Sequence, residues 1–598
     1  MSLYPKQRWQ IAPTAPPSQI ARFPHLHPIT VQVLYNRGLT DPAEVVAFID
    51  DEVDTANPFK LTGMPAAVTR LRQALRAGEP IAVYGDFDAD GVTATALLVQ
   101  VWRALGGCAR PYIPDRNQGY GLHNEALTQL AQEGARVIVT VDCGIRAPEK
   151  VAHANRLGLD VIITDHHSVG NALPDAVAVI DPKRDDSQYP FDQLAGVGIA
   201  YRLAQALLRS HQQAPITTEK VRLEEEDLVD LVALGTVADL VPLLGENRTL
   251  VQRGLARLNR MERPGIEALC RQAGLRPGQV DASAIGYVLG PRINAAGRLA
   301  HAKTAYQLME TKYPAEAEQL AGELDRLNRE RQELTRASQE QARKMALETI
   351  DKAPLIFAAA PDFLAGIVGL VASRLVDEFY RPAVVVEVGE QTSRGSARSI
   401  PEFHITEALD TCSDLLIRHG GHAGAGGFTV ANQHLDELAA RLRTLATEQL
   451  GDTELVPVLS VDAEVPLCQM SWELQRELAR LEPFGYANRP PLFLSRNVDV
   501  QSQWAVGNNG RHLKMALSDG QQMWDAIAFR QGEWAGKLPD RVDIVYQLEV
   551  NEWNDRRRLQ VNVQDIQPTG LDDAIARLQI EQDGPEPGIS SGPLALED

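Results

Sequence analysis

The spacing of apolar and polar positions changes several times along the chain, and each change marks an element. Between Ile81 and Tyr84 an apolar run ends in a polar turn, and a 3.6-residue period then runs from Val92 to Leu105, which predicts strand, loop and helix. The pattern recurs. VIVTVDCGI (Val137 to Ile145), VIITDHH (Val161 to His167) and AVAVIDPKR (Ala176 to Arg184) are apolar runs that break off into polar residues, with helical periods over Asn124 to Gly134 and Ala147 to Gly158. Strand, helix, strand repeats predict an α/β fold with a doubly wound parallel sheet, here over residues 59–303. Residues 1–58 are Pro-rich and then carry short helical patterns, so a small helical lead-in is expected. Strong helix formers run unbroken from Ala315 to Ile350, with apolar positions too sparse for a coiled coil, and residues 304–351 are expected as a long, exposed connecting helix. Residues 352–450 alternate again (PLIFAAA, IVGLVASRLVDEFY, RPAVVVEVG, TSRGSARSI) and predict a smaller α/β domain. Over 455–568 five short alternating segments suit an OB-like β-barrel, and the acidic, Pro/Gly-rich stretch 569–598 is expected to be disordered.

The strand ends carry the chemistry. Asp86, Asp88 and Asp90 follow the first run, Asp142 the second, Asp165, His166 and His167 the third, and Asp181 the fourth. Ligands of doubly wound sheets bind beyond the carboxyl ends of the strands, so these groups are expected along one edge. Three bare carboxylates repel one another, and hard divalent ions are their usual partners. Taken alone, DxDxD reads as well as a solvated acidic loop; its recurrence favours a metal. Asp239 closes the hydrophobic run LVDLVALGTVA, where a lone carboxylate is costly unless paired or metal-bound.

Phosphate chemistry has its own candidates. PRINAAGRLAHAKTA sets Arg292, Asn294, Arg298 and His301 among small residues that let a bulky anion approach; a helix cap with surface arginines is the plainer alternative. Arg116 sits in the turn-rich YIPDRNQGYGL, either a loop at a site mouth or a surface turn. The bare backbone of Gly420 and Gly421, beside His422, can approach a phosphodiester, and Ser396, Arg398 and Ser399 can bind phosphate oxygens. In the barrel segment, Trp504 and Lys514 join an aromatic to a cation, as base stacking and backbone contact require, although a single aromatic is more often core.

Four ordered stretches, YGDFDADGVTATALL, VTVDCG, ITDHH and GTVADLVPL, resemble the motifs of the DHH phosphoesterase superfamily, and GGHAGAGG resembles its associated C-terminal domain. GPRINAAGRL and EPFGYANRPPLF narrow the resemblance to the RecJ single-strand-specific exonucleases, over about residues 59–568. The resemblance implies a single-stranded-DNA exonuclease that works 5′ to 3′ and releases 5′-mononucleotides in DNA repair and recombination. It implies two divalent cations, Mn2+ or Mg2+, one held by Asp86, Asp88 and Asp142, the other by Asp90, Asp142, His166 and Asp239. It further implies catalytic support from Asp165, His167, Arg292 and Asn294, and substrate binding by Arg116, Arg298, Ser396, Arg398, Ser399, Gly420, Gly421, His422, Trp504 and Lys514. Three places depart from the pattern: Tyr84, where the wider superfamily often has histidine; Leu364, where related exonucleases tend to be polar; and Ala487 with Arg489, in place of the usual glycine and proline. The alternatives are a phosphodiesterase of short oligonucleotides or cyclic dinucleotides, which needs neither the long helix nor the barrel, and a non-catalytic replication scaffold, which has no need of a full ligand set.

Composition changes this picture in two respects. A length of 598 residues with 44% hydrophobic content calls for several packed domains. The net charge of -20 opposes a protein that coats nucleic acid, unless a local basic groove leads to an acidic metal site. The five scattered cysteines have no CxxC spacing, which argues against structural zinc and a disulfide framework. There is no run of 18 apolar residues and no apolar core at the N-terminus, so a cytoplasmic, membrane-free protein is expected. Single-stranded DNA is the expected partner, single-strand-binding protein and a helicase are candidate protein partners, and a monomer is expected.

Overall fold

The computed structural model describes residues 7–50, 56–216, 221–350, 353–451, 453–553 and 556–570. The chain divides into two compact units, one formed by 52–455 with 483–489 and the other by 1–51, 456–482 and 490–598.

The first unit is built on a five-stranded parallel sheet: β1 (Ile81–Tyr84), β2 (Ala109–Tyr112), β3 (Val137–Val141), β4 (Asp160–Thr164) and β5 (Ala178–Ile180), in the order β2-β1-β3-β4-β5. β1, β3 and nearly all of β4 are buried, as strands covered on both faces must be. The strand order reverses between β1 and β3, which opens a crevice at their carboxyl ends. Four helices bear on that edge: α1 (Ala89–Ala104), α2 (Gly196–Gln213), α3 (Val229–Ala238) and α4 (Gly290–Leu299). The 36-residue helix α5 (Pro314–Thr349) leads to the second sheet, β6 (Ile356–Ala360), β7 (Ala383–Glu387), β8 (Thr392–Arg398), β9 (Leu416–His422) and β10 (Ala425–Ala431). Its order is β9-β10-β8-β7-β6, antiparallel except for β6 with β7. The connecting helix is less exposed than its sequence implied. Ala317, Ala321, Leu324 and Leu327 are buried in the first core, and Ala342 and Ala346 in the core beneath β6 and β7.

In the second unit, five strands close a barrel: Phe493–Val506, His512–Ser518, Met523–Ala528, Arg556–Pro568 and Arg541–Trp553, the last pairing back onto the first. Residues 1–58, expected as a Pro-rich start and a small helical lead-in, also contribute a strand. Arg8–Ile11 pairs in parallel with Val458–Val461, and Trp9 Nε1 donates to Asp565 Oδ2 at 2.8 Å. Local periodicity cannot show a four-residue strand whose partner lies some 450 residues away. The stretch 569–598 lies, from residue 571 onward, outside the described residues.

Candidate functional site

The acids gather at the β1/β3 crevice. Asp88 caps α1, its Oδ1 accepting the Gly91 N–H at 3.0 Å, and Asp90 follows in the first turn. The Asp90 carboxylate is itself held at a helix start: Gly196 N–H and Val197 N–H of α2 donate to it at 2.7 and 2.8 Å. Glycine is required at 196, because a Cβ there would stand 2.7 Å from the Asp142 Cβ and 2.8 Å from Asp90 Oδ2. Asp142, at the end of β3, has left-handed backbone (φ 61°), a strained state typical of functional sites, and the Tyr120 hydroxyl donates to its carbonyl at 2.9 Å. Asp239 caps the carboxyl end of α3, where the helix dipole opposes a negative charge and favours a cation.

His166 joins these acids. Its Nε2 lies 3.0 Å from Asp142 Oδ1, 3.6 Å from Asp239 Oδ2 and 3.9 Å from Asp90 Oδ2. Three groups place one ligand atom from each residue within 4.8 Å of the others: Asp86, Asp88 and Asp142; Asp90, His166 and Asp239; and Asp142, His166 and His167. Burial, reinforced by neighbouring carboxylates, pushes Asp90 up to about 7 and drives Asp86, Asp142 and Asp239 well above the usual carboxylate range. Burial and the His167 charge push His166 down to about 3, which leaves a neutral imidazole with a lone pair to give. Asp86 Oδ1 and His166 Nδ1 are buried without a hydrogen-bond partner. Repelling, oxygen-rich donors with one neutral imidazole fit hard divalent cations such as Mn2+ and Mg2+.

Other candidates have different tasks. Asp165 is fully buried and spends both oxygens inward, accepting from the N–H groups of His166, His167 and Ile145 and lying 2.8 Å from His167 Nδ1. It holds the histidine pair from within the core. Burial would lower His167, yet the bond to Asp165 keeps it above its ordinary value. Tyr84 is fully buried, its hydroxyl donating to Gly121 O at 3.2 Å, which leaves Asp86 as the substitute for a histidine at that position. Asn294 Oδ1 accepts the Ala89 N–H at 2.7 Å, bracing the start of α1. Arg292, expected in the catalytic group, instead ties Val288 O, one turn back, to Asp325 Oδ1 on α5, because the packing of α4 on α5 brings it to a buried acid. Ser399 is likewise taken up within the chain, its hydroxyl donating to Phe403 O at 2.6 Å and its N–H to Gly424 O.

A cationic cluster adjoins the acids. Arg298 donates to Gly366 O at 2.9 Å, and Arg116 lies 4.5 Å over the Phe87 ring. Arg398 donates to Ser396 Oγ at 3.0 Å. Burial, and then the charges of Arg116, Arg331 and Arg398, lower the Arg298 guanidinium. Arg331 on α5 is a residue that the sequence reading missed; its Nε is buried and unpartnered, and no local pattern sets it apart from the other arginines of the helix. Gly421 and His422 line a cleft of about 760 Å³ with Tyr120, His167, Arg146 and Lys150. Gly420 is exposed on β9, and Leu364 is also exposed, in the turn before the helix Val368–Phe379. In the second unit, Trp504 and Lys514 are cross-strand partners on the barrel, with Trp504 45% exposed.

A parallel sheet that converges carboxylates and a DHH histidine pair on its switch point, followed by a second small sheet, is the architecture of the DHH phosphoesterases. Residues 80–236 match the DHH family N-terminal domain, 352–448 the DHHA1 domain and 461–565 the RecJ OB domain. The single-stranded-DNA-specific exonuclease RecJ of Bacillus subtilis is 38% identical over 90% of this chain and 68% of its own length. That of Salmonella typhimurium is 37% identical over 91% and 96%. The structure of Thermus thermophilus RecJ in complex with Mn2+ superposes with a TM-score of 0.81 at 31% identity, covering 96% of this chain and 83% of that one. Its Mg2+ complex gives 0.74 at 30% identity, covering 96% and 82%. The chain belongs to the RecJ family of single-stranded-DNA-specific exonucleases.

Proposed function

We propose that this protein is a metal-dependent exonuclease that hydrolyses phosphodiester bonds of single-stranded DNA from the 5′ end and releases 5′-mononucleotides. The observation that carries the reading is the convergence of Asp86, Asp88, Asp90, Asp142, His166 and Asp239 on one crevice, beside the arginine cluster around Arg298. Asp86, Asp88 and Asp142 would hold one divalent cation and Asp90, Asp142, His166 and Asp239 the other, with Asp142 common to both. When bound, two such ions supply an acidified water and neutralise phosphoryl oxygens. The chain's own residues do the rest. Arg116, Arg298 and Arg398, with Ser396, bind and orient a phosphate; Gly420, Gly421 and His422 bring bare backbone and an imidazole to the strand. His167, fixed at Nδ1 by Asp165, has Nε2 left to meet a phosphoryl oxygen. Trp504 and Lys514 on the barrel stack on a base and pair with the backbone.

Residues 59–303, 352–450 and 455–568 serve in this reading as catalytic, substrate-binding and strand-binding domains. The enzyme would act as a cytoplasmic monomer, with single-strand-binding protein and a helicase as the partners that such a substrate calls for. No described helix is long and apolar enough to cross a membrane. Digestion of 5′-labelled and 3′-labelled single-stranded and duplex DNA and RNA, in Mn2+ and in Mg2+, tests the whole reading. Mononucleotides released from the 5′ label of single-stranded DNA are expected; release from the 3′ label first, or equal cleavage of duplex, overturns it.

A further inference from the structure

The turn DPK that follows β5 belongs to neither the metal groups nor the arginine cluster, yet it touches the site. β4 and β5 run side by side with Thr164 opposite Ile180, and Asp165 N–H donates to Ile180 O, so the DHH turn and the DPK turn leave the sheet as neighbours. Asp181 is 1% exposed, and its Oδ1 accepts the Lys183 N–H at 2.8 Å. Lys183 then reaches back, its Nζ donating to the His166 carbonyl at 2.5 Å. Its charge also acts on Asp239 and His166.

His166 needs such a hold. Ligating histidines are usually aimed by a hydrogen bond at the second ring nitrogen. Here Nδ1 is buried with no partner, so nothing in the described protein fixes the ring from that side. What is fixed is the peptide: the N–H by Asp165 Oδ1 at 2.8 Å, the carbonyl by Lys183. We propose that Lys183, set in place by the Asp181 turn, is a positioning residue that fixes the His166 main chain and so aims its imidazole at the cation shared with Asp90, Asp142 and Asp239. The inference rests on the metal assignment above. Asp181 acts one step further out, by placing the lysine.

Titration of Mn2+ into the metal-stripped full-length protein tests it, read by calorimetry and by the Mn2+ EPR signal. Lys183→Met is expected to weaken binding by about 10-fold or more, as loss of a supporting contact around a metal site does, while Lys183→Arg, which can still reach a carbonyl, restores it to within about 3-fold. A merely structural role predicts no such rescue. Lys183→Met with the wild-type isotherm overturns the inference. Should Lys183→Met fail to fold, Asp181→Ala, which keeps the lysine but frees its turn, is read in the same titration; a loss of affinity supports the brace and an unchanged isotherm overturns it. If wild type itself takes up no Mn2+, the metal assignment falls, and the inference with it.

Discussion

Two clusters of like charge face the same crevice, and each is uncomfortable alone. At the carboxyl edge of the catalytic sheet, burial and mutual repulsion raise Asp86, Asp90, Asp142 and Asp239. Around Arg298, burial and neighbouring arginines work the opposite way and lower a guanidinium. The acidic half holds more carboxylates than Arg116 and Lys183 offset, and the basic half more arginines than Asp88 offsets; in the proposed reading a phosphodiester bound with divalent metal would satisfy both. The pairing also explains how a chain of net charge -20 handles DNA. The overall charge describes the surface, and in the proposed reading binding falls to the local concentration of arginine around Arg298.

Breaking the acidic half should have the largest effect. Asp142→Ala, which removes the carboxylate common to two ligand groups, is expected to abolish Mn2+-dependent degradation while leaving single-strand binding in gel shifts largely intact; full residual activity would remove its shared role. The basic half comes next. Arg298→Ala should cost about 1.5–3 kcal/mol of substrate interaction, the worth of a hydrogen bond to a charged group, seen as a matching fall in kcat/KM without a change in Mn2+ affinity. Arg331→Ala should do the same more weakly, and no effect would separate it from the cluster.

The raised carboxyls give a pH test that sharpens the contrast. The metal-free fold holds protons that the unfolded chain releases near pH 4, so its stability should fall as pH rises from about 5 to 8, and Mn2+ should reverse that trend because it replaces the protons. Calorimetry in buffers of different ionisation enthalpy should show proton release on Mn2+ binding, growing as pH falls. The smallest effect should come from a change that touches neither cluster. Ala487 holds left-handed backbone (φ 61°) where the family usually has glycine, and Ala487→Gly should add about 1 kcal/mol to thermal stability with cleavage unaltered.

How much of this was legible differs from residue to residue. Asp86, Asp88, Asp142 and His166 were readable because each ends an apolar run, and a parallel sheet sends all its strand ends to one edge. Asp239 was readable as an expensive buried charge, although it caps a helix. Arg292 and Ser399 have the right chemistry in the right segments, yet Asp325 and Phe403 engage them first, and only three-dimensional proximity decides which partner wins. Arg331, Tyr120 and Lys183 gave no signal, since one arginine in a helix rich in them, one tyrosine in a turn and one lysine after a strand look like ordinary surface.

Although it left β2, β9 and β10 unread, local pattern alone placed β1, β3, β4 and β5, the strand-end acids, the long helix and the alternating segments of the barrel. All of these depend on periods of two or 3.6 and on residues close in the chain. Three-dimensional packing settled which arginines converge, that Arg8–Ile11 pairs with Val458–Val461, and that a lysine from one turn holds the histidine of another. Those contacts join distant positions, and their energy comes from burial and charge proximity, which no local pattern records.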